Sequence, residues 1–223
     1  MGKLYVIEGS DGSGKATQSK LLYEYLAGQG KPVKMVSYPD YESPSSSLVK
    51  MYLGSEFGND PYKVNAYVAS SFFAVDRFAS YLKNWKEFYE SSEDAIVICD
   101  RYVTSNMLHQ TSKLETAEEK EAFLDWEYDF EYTKGGLPVP DKVFFLDVPP
   151  ETTFRLIKDR ENKITHRQAK DIHESNREFL TKSYQNSILV GKKYNWINIL
   201  CCDQNGNIKK IEEIHGLITK TFE

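Results

Sequence analysis

The chain has 223 residues, 28 Lys and Arg against 33 Asp and Glu, and a formal net charge of −5. That length suits one domain with a sizeable core and is short for two. The acidic balance argues against binding of a nucleic-acid polymer, so any cationic site must be a local concentration of Arg and Lys.

Hydrophobic content of 40% and charged content of 27% are ordinary for a soluble globular protein. The three cysteines, Cys99, Cys201 and Cys202, have no framework spacing and fit a reducing, cytoplasmic setting. The four histidines show no metal-ligand spacing. No signal-peptide pattern and no apolar run near the roughly 20 residues of a membrane span is present.

The first apolar run, LYVIE (4–8), reads as a strand. It passes into Gly9-x-x-x-x-Gly14-Lys15, and a helix is predicted from Lys15 to Ala27, stopping near Gly28 and Gly30. A strand before and a helix after are the context this motif requires. Its glycines let backbone N–H groups point at phosphate oxygens, the helix N-terminus adds a positive dipole end, and Lys15 reaches the outer phosphates. The expected nucleotide contacts are Gly9, Ser10, Asp11, Gly12, Ser13, Gly14, Lys15, Ala16 and Thr17. Ala16 departs from the motif, because a hydroxyl there normally contacts Mg²⁺. Mg²⁺ keeps several waters and takes one or two protein ligands, so the loss weakens the metal site and spares nucleotide binding.

PVKMVSY (32–38) is a weaker strand signal. A long helical stretch follows Pro61, with Tyr67, Ala74, Phe78, Tyr81, Trp85 and Phe88 on a core-facing stripe. Phe73 and Arg77, four apart and one position off that stripe, could stack on a base and bond its edge.

AIVIC (95–99) ends in Asp100 and Arg101, at the strand edge where ligands of a parallel α/β sheet gather. Asp100 could hold Mg²⁺ through its waters, and Arg101 offers a planar fork for phosphate. KVFFLDV (142–148) and WINILCC (196–202) complete five strand-like runs. The polar stretch 160–170, RENKITHRQAK, reads as a mobile flap, and Ile208, Ile211, Ile214 and Ile218 mark a last helix. Strands alternating with amphipathic stretches predict an α/β fold, a parallel sheet flanked by helices in a single domain over 1–223.

IEGSDGSGKATQ (7–18), YPDY (38–41), FAVDR (73–77), DRYVTSN (100–106), LPVPD (137–141) and DIHE (171–174) occur in that order. Together they resemble the thymidylate kinases, nucleoside monophosphate kinases of the P-loop fold. The resemblance implies a three-layer fold with a five-stranded parallel sheet, a homodimer, ATP and Mg²⁺, and transfer of the γ-phosphoryl group of ATP to dTMP. It places Phe73 on thymine, Arg77 and Asn106 at the base edge, and Asp11 near the acceptor sugar or phosphate. Pro39, Tyr41 and Ser105 fall in the acceptor-side motifs, Arg101 bridges the acceptor phosphate and the moving group, and Glu174 closes over the sugar. His109 stands where a tyrosine is common, and His173 where an aromatic is frequent. The phosphate loop carries no arginine, so transition-state charge falls to the flap, where Arg160 and Arg167 are candidates with Lys163 behind them.

Two rival readings fit parts of the pattern. A deoxynucleoside kinase needs a carboxylate base near the nucleoside hydroxyl, and the Asp-Arg-Tyr run suits it, but Glu8 lies inside the first strand. A nucleotide-binding regulatory module without turnover has only Ala16 in its favour.

Overall fold

The computed structural model describes residues 1–156, 172–173 and 176–222. Five strands form one parallel sheet: Lys3–Gly9 (β1), Val33–Ser37 (β2), Ile96–Asp100 (β3), Lys142–Asp147 (β4) and Ile197–Leu200 (β5). Their order is β2-β3-β1-β4-β5. β1 is therefore central, and the crossovers from it and from β4 run to opposite sides of the sheet, which opens a crevice at the strands' carboxyl ends.

Alternation along the strands sends side chains to two separate cores. Leu4, Val6, Val97 and Cys99 pack with Trp85, Tyr102 and Leu124 on one face. Tyr5, Ile7, Ile96, Ile98, Phe144 and Leu146 pack with Leu22, Leu26, Ile214 and Ile218 on the other. Both faces are covered, so the strands read as nearly continuous apolar runs.

The covering helices are Lys15–Gly28 (α1), Ser47–Leu53 (α2), Ala66–Ser80 (α3), Lys86–Glu90 (α4), Val103–His109 (α5), Ala117–Glu127 (α6), Pro150–Leu156 (α7), Arg177–Lys193 (α8) and Ile211–Thr219 (α9). Asn65 caps α3 by accepting from the Val68 N–H, and Thr116 with Glu119 forms a capping box at α6. Each satisfies N–H groups that the first helical turn leaves unpaired. Two segments are wound as π-helix, Tyr81–Trp85 after α3 and Tyr128–Lys134 after α6.

The five apolar runs all become strands, with shifted ends. WINILCC yields only Ile197–Leu200, and Cys202 pairs instead with Ile208 in an isolated antiparallel bridge. Ile208 therefore lies outside α9, and Ile211 is half exposed, which reduces the expected stripe to Ile214 and Ile218. The cause is local: Lys210 N–H donates to Glu213 Oε2 at 2.9 Å, so the helix starts at Ile211. Tyr67 is also exposed rather than core, lying edge-on to Trp126 at 4.8 Å between ring centroids. The expected flap, 160–170, lies outside the described residues. Among the described residues no helix is long and apolar enough to cross a membrane.

Phe144 sits fully buried in β4, edge to edge with the core under α1 and α9. Phe144→Ala is expected to cost about 3–5 kcal/mol in urea unfolding, the range for a large aromatic removed from a packed core. A loss below about 1 kcal/mol would show that this layer collapses around the cavity or is not tightly packed.

Candidate active site

β1 and β3 are neighbours in register, with Ile7 opposite Asp100. Arg101 N–H donates to the Ile7 carbonyl at 3.1 Å, extending the pairing one residue past the strand. The loops that leave these strands therefore emerge side by side. Gly9 has no room for a side chain, since a Cβ would meet Ser13 Oγ at 2.8 Å. Gly14 takes φ 90° immediately before α1, a left-handed turn that glycine adopts without strain.

Asp11, Gly12, Gly14, Lys15, Ala16, Thr17, Tyr38, Asp100, Arg101 and Leu156 line one cavity of ≈ 440 Å³. Lys15 Nζ donates to the carbonyls of Gly9 at 3.0 Å and Ser10 at 2.7 Å. Burial, then the nearby Arg101 charge, lowers its pKa to about 8. A polyanion in the cavity would restore the ammonium by supplying the opposite charge.

Arg101 is non-glycine backbone at φ 68°, a left-handed conformation that costs energy unless its surroundings enforce it. They do so through the backbone pairing with Ile7 and through the side chain. Nη2 donates to Asp11 Oδ1 at 2.5 Å, Nη1 lies 3.6 Å from Glu8 Oε1, and Nη1 meets His109 Nε2 at 3.2 Å. A guanidinium can only donate, so His109 Nε2 accepts and the ring proton sits on Nδ1. Burial, then Arg101, pushes the His109 pKa well below 6.5, which keeps the ring neutral. His109 stacks at 5.9 Å on His173, which stacks at 4.5 Å on Phe179 and shares a 2.8 Å hydrogen bond with Tyr52. Burial, then the Lys113 charge, lowers the His173 pKa to about 3.

Glu8 reads as a residue inside the strand, yet it is a structural centre of the site. Its carboxylate accepts from its neighbour Gly9 N–H at 3.0 Å, Thr104 Oγ1 at 2.8 Å and Ser105 Oγ at 2.7 Å. The Ser105 hydroxyl thus meets Glu8. Asp100 Oδ1 is buried with no hydrogen-bond partner among the described residues. Such an atom beside the loop lysine suits a hydrated Mg²⁺, which needs few direct protein ligands. Among the described residues no cluster of three or more His, Cys, Asp or Glu groups could hold a metal.

Phe73 and Arg77 lie in different surroundings. Phe73 is half-buried against Tyr52, Val49 and Ala69 in a third apolar cluster that also takes Tyr41. Arg77 is 1% exposed, although its helix position was read as off the core stripe. The reason is an acidic partner that the α3 sequence does not contain. Arg77 Nε and Nη2 donate to the two oxygens of Glu131 at 2.7 and 2.5 Å, and Nη1 donates to the Tyr102 carbonyl at 3.3 Å. Asn106 Nδ2 donates to Glu131 Oε1 at 3.2 Å and to the Ser70 carbonyl at 3.1 Å. Glu127 lies 4.0 Å from Arg77 and is fully buried. Pro39 follows Tyr38, whose hydroxyl accepts from Trp85 Nε1 at 2.9 Å, so the YPDY segment is anchored to the first core.

Sequence reasoning missed Glu8, Glu127 and Glu131. One signal was available for the last two. Glu127 and Glu131 are four apart in an aromatic-rich stretch, and like charges at that spacing oppose helix formation unless a cation lies between them. Arg160, Lys163, Arg167 and Glu174 lie outside the described residues.

A family model described as thymidylate kinase matches residues 7–212. A thymidylate kinase of Rickettsia canadensis is 31% identical over 159 residues, 71% of each chain. One of Plasmodium falciparum is 29% identical over 225 residues, covering 98% of this chain and 89% of the relative. Among solved structures, a thymidylate kinase of Candida albicans superposes with a TM-score of 0.70 at 20% identity, over 99% of this chain and 91% of that one.

Burial, reinforced by the neighbouring Glu131 carboxylate, pushes the Glu127 carboxyl well above its ordinary 4.5. The folded chain then keeps a proton that the unfolded chain releases, so this group lowers stability as pH rises above 4.5 towards the folded value. Glu127→Gln keeps the neutral shape and removes the dependence. Thermal unfolding from about pH 5 to about pH 8 should show the variant gaining on the parent as pH rises. Parallel profiles would mean that Glu127 is ionised in the fold.

Proposed function

The chain belongs to the thymidylate kinase family, and on that premise we propose that it transfers the γ-phosphoryl group of ATP to dTMP, giving dTDP and ADP. The observation that carries the reading is one cavity of ≈ 440 Å³ lined from the phosphate loop by Lys15 and from the end of β3 by Arg101. Two nucleotides meeting phosphate to phosphate need cations from both directions, and a parallel sheet brings two loops to one edge.

In this reading the loop from Gly9 to Thr17 cradles the donor phosphates, through backbone N–H groups and the α1 N-terminus. Lys15 leaves the Gly9 and Ser10 carbonyls for the outer phosphate oxygens. Arg101 faces the acceptor phosphate, with Asp11, Glu8 and His109 fixing its fork. An oxygen of dTMP forms the new P–O bond as the bond from the γ-phosphorus to the bridging oxygen breaks and ADP leaves. The acceptor is already anionic near neutral pH, so no strong base is required, and alignment with charge stabilisation does the work. Asp100 would hold a Mg²⁺ ion through its waters, and the ion would supply positive charge to offset that of the phosphates. Phe73 and Tyr41 contribute the aromatic wall of the acceptor pocket, and Arg77 with Asn106 reads the base. Arg160 and Arg167 remain the candidates for further transition-state charge. A homodimer and a cytoplasmic location complete the proposal.

The deoxynucleoside kinase alternative needs a carboxylate free to take a hydroxyl proton. Glu8 is fully buried and already accepts from Gly9, Thr104 and Ser105, which disfavours it as that base.

ADP release with ATP and Mg²⁺ should be fastest with dTMP when thymidine, dUMP, UMP, CMP and AMP are tested beside it. Turnover of thymidine in preference to dTMP would overturn the acceptor assignment. Arg101→Ala should lower kcat by at least about a hundredfold, the scale of losing one aimed donor. Near-parental turnover would remove Arg101 from the reaction.

A further inference from the structure

Two carboxylates and one guanidinium lie sealed together between α3 and α6. Arg77 is 1% exposed, and Glu127 and Glu131 are fully buried. Such a cluster needs explaining, because well-packed apolar residues of similar volume are often as stable or more so. Its geometry is also specially built. Each of the two helices that supply it, α3 and α6, runs directly into a π-helical segment, Tyr81–Trp85 and Tyr128–Lys134. Glu131 itself lies in the second of these. π-helical windings are uncommon and are frequently found at functional sites.

The cluster converges on Glu131. Its two oxygens take Nε and Nη2 of Arg77, and Oε1 also takes Nδ2 of Asn106. Both groups read as base contacts are thus oriented by one carboxylate. For Arg77, Glu131 and the Tyr102 carbonyl occupy three N–H bonds, leaving two of the five that a guanidinium carries. For Asn106, two acceptors on Nδ2, Glu131 and the Ser70 carbonyl, fix which end of the amide is which. Arg77 then offers donors and Asn106 keeps its carbonyl oxygen as an acceptor. A donor beside an acceptor complements the 4-oxo group and N3–H of thymine. It mismatches cytosine, which presents an amino donor and a bare ring nitrogen.

We propose that Glu131 is a positioning residue that fixes the donor and acceptor polarity of the base site, so that 4-oxo pyrimidine monophosphates are chosen over 4-amino ones. The proposal rests on the reading of Arg77 and Asn106 as base contacts. Glu127 Oε1 lies behind the pair, 4.0 Å from Arg77 Nη2.

Glu131→Asp separates positioning from charge balance. The carboxylate stays, so the buried guanidinium keeps a counter-charge, but the shorter stem withdraws it from Arg77 and Asn106. Steady-state kinetics with dTMP and dCMP should show a dTMP KM raised roughly tenfold, the scale of a lost hydrogen bond to a charged group. The kcat for dTMP should change far less, and the preference for dTMP over dCMP in kcat/KM should narrow by about the same factor. Glu131→Gln should move both quantities in the same direction. Arg77→Met is measured alongside. If it raises the dTMP KM while Glu131→Asp leaves KM and preference at parental values, the positioning role is overturned and the base-reading role of Arg77 stands. If Arg77→Met also leaves them unchanged, the base-site reading fails, and the proposal with it. A raised KM in Glu131→Asp with no effect of Arg77→Met would likewise overturn the route through Arg77.

Discussion

In the proposed transfer a guanidinium that holds phosphate has to be aimed before the phosphate arrives, and Arg101 is held by three groups from three elements. Asp11 comes from the phosphate loop, Glu8 from β1 and His109 from the last turn of α5. Its left-handed backbone at φ 68° would be strained in isolation, and the parallel pairing of Arg101 N–H with the Ile7 carbonyl holds it there. That single residue ties the phosphate loop to the end of β3. Without the tie, the two loops would share a sheet edge and not a common cavity.

The site's charge balance follows from the same arrangement. Lys15 and Arg101 repel across the cavity, and Arg101 contributes to lowering the Lys15 pKa to about 8. Asp11, Asp100 and Glu8 pull the other way. These carboxylates offset the charge of the buried Lys15 and the part-exposed Arg101. His109 contributes differently. As a neutral ring it accepts from Arg101 without adding charge, supplying the lone pair that the guanidinium requires there.

Much of this was legible in the sequence. The strand runs are short, apolar and bounded by polar residues, so their existence and the phosphate loop between β1 and α1 could be read directly. The placement of Asp100 and Arg101 at the productive edge followed from parallel topology. What could not be read were long-range pairings between groups that look unremarkable in their own elements. Arg77 sits off the core stripe of α3, and nothing in that helix shows that it is buried, because its partner Glu131 is 54 residues away. Glu8 reads as a strand residue because Thr104 and Ser105 approach it from a different helix, 96 and 97 residues on. Ile208 fits the spacing of the last helix, and a side-chain cap from Glu213 to Lys210 overrides that spacing.

The two arginines illustrate one constraint met in two ways. Arg101 lines an open cavity, and although Asp11 and Glu8 offset its charge its side chain keeps 15% exposure. Arg77 is closed off from solvent, and Glu131 neutralises its charge, so what remains is direction and not attraction. That difference suits the two ends of a nucleotide. A phosphate is held by net charge, whereas a base carries none and is distinguished by where its donors and acceptors lie. A net cation at the base end would bind pyrimidines and purines with little regard for their edges. Pairing the cation with a carboxylate removes that indiscriminate attraction and leaves oriented N–H bonds, whose mismatch with the wrong edge is costly in a buried site. In the proposed function the acidic partner of Arg77 limits binding strength and increases selectivity, and that partner lies in a π-helical winding with both of its oxygens on the guanidinium.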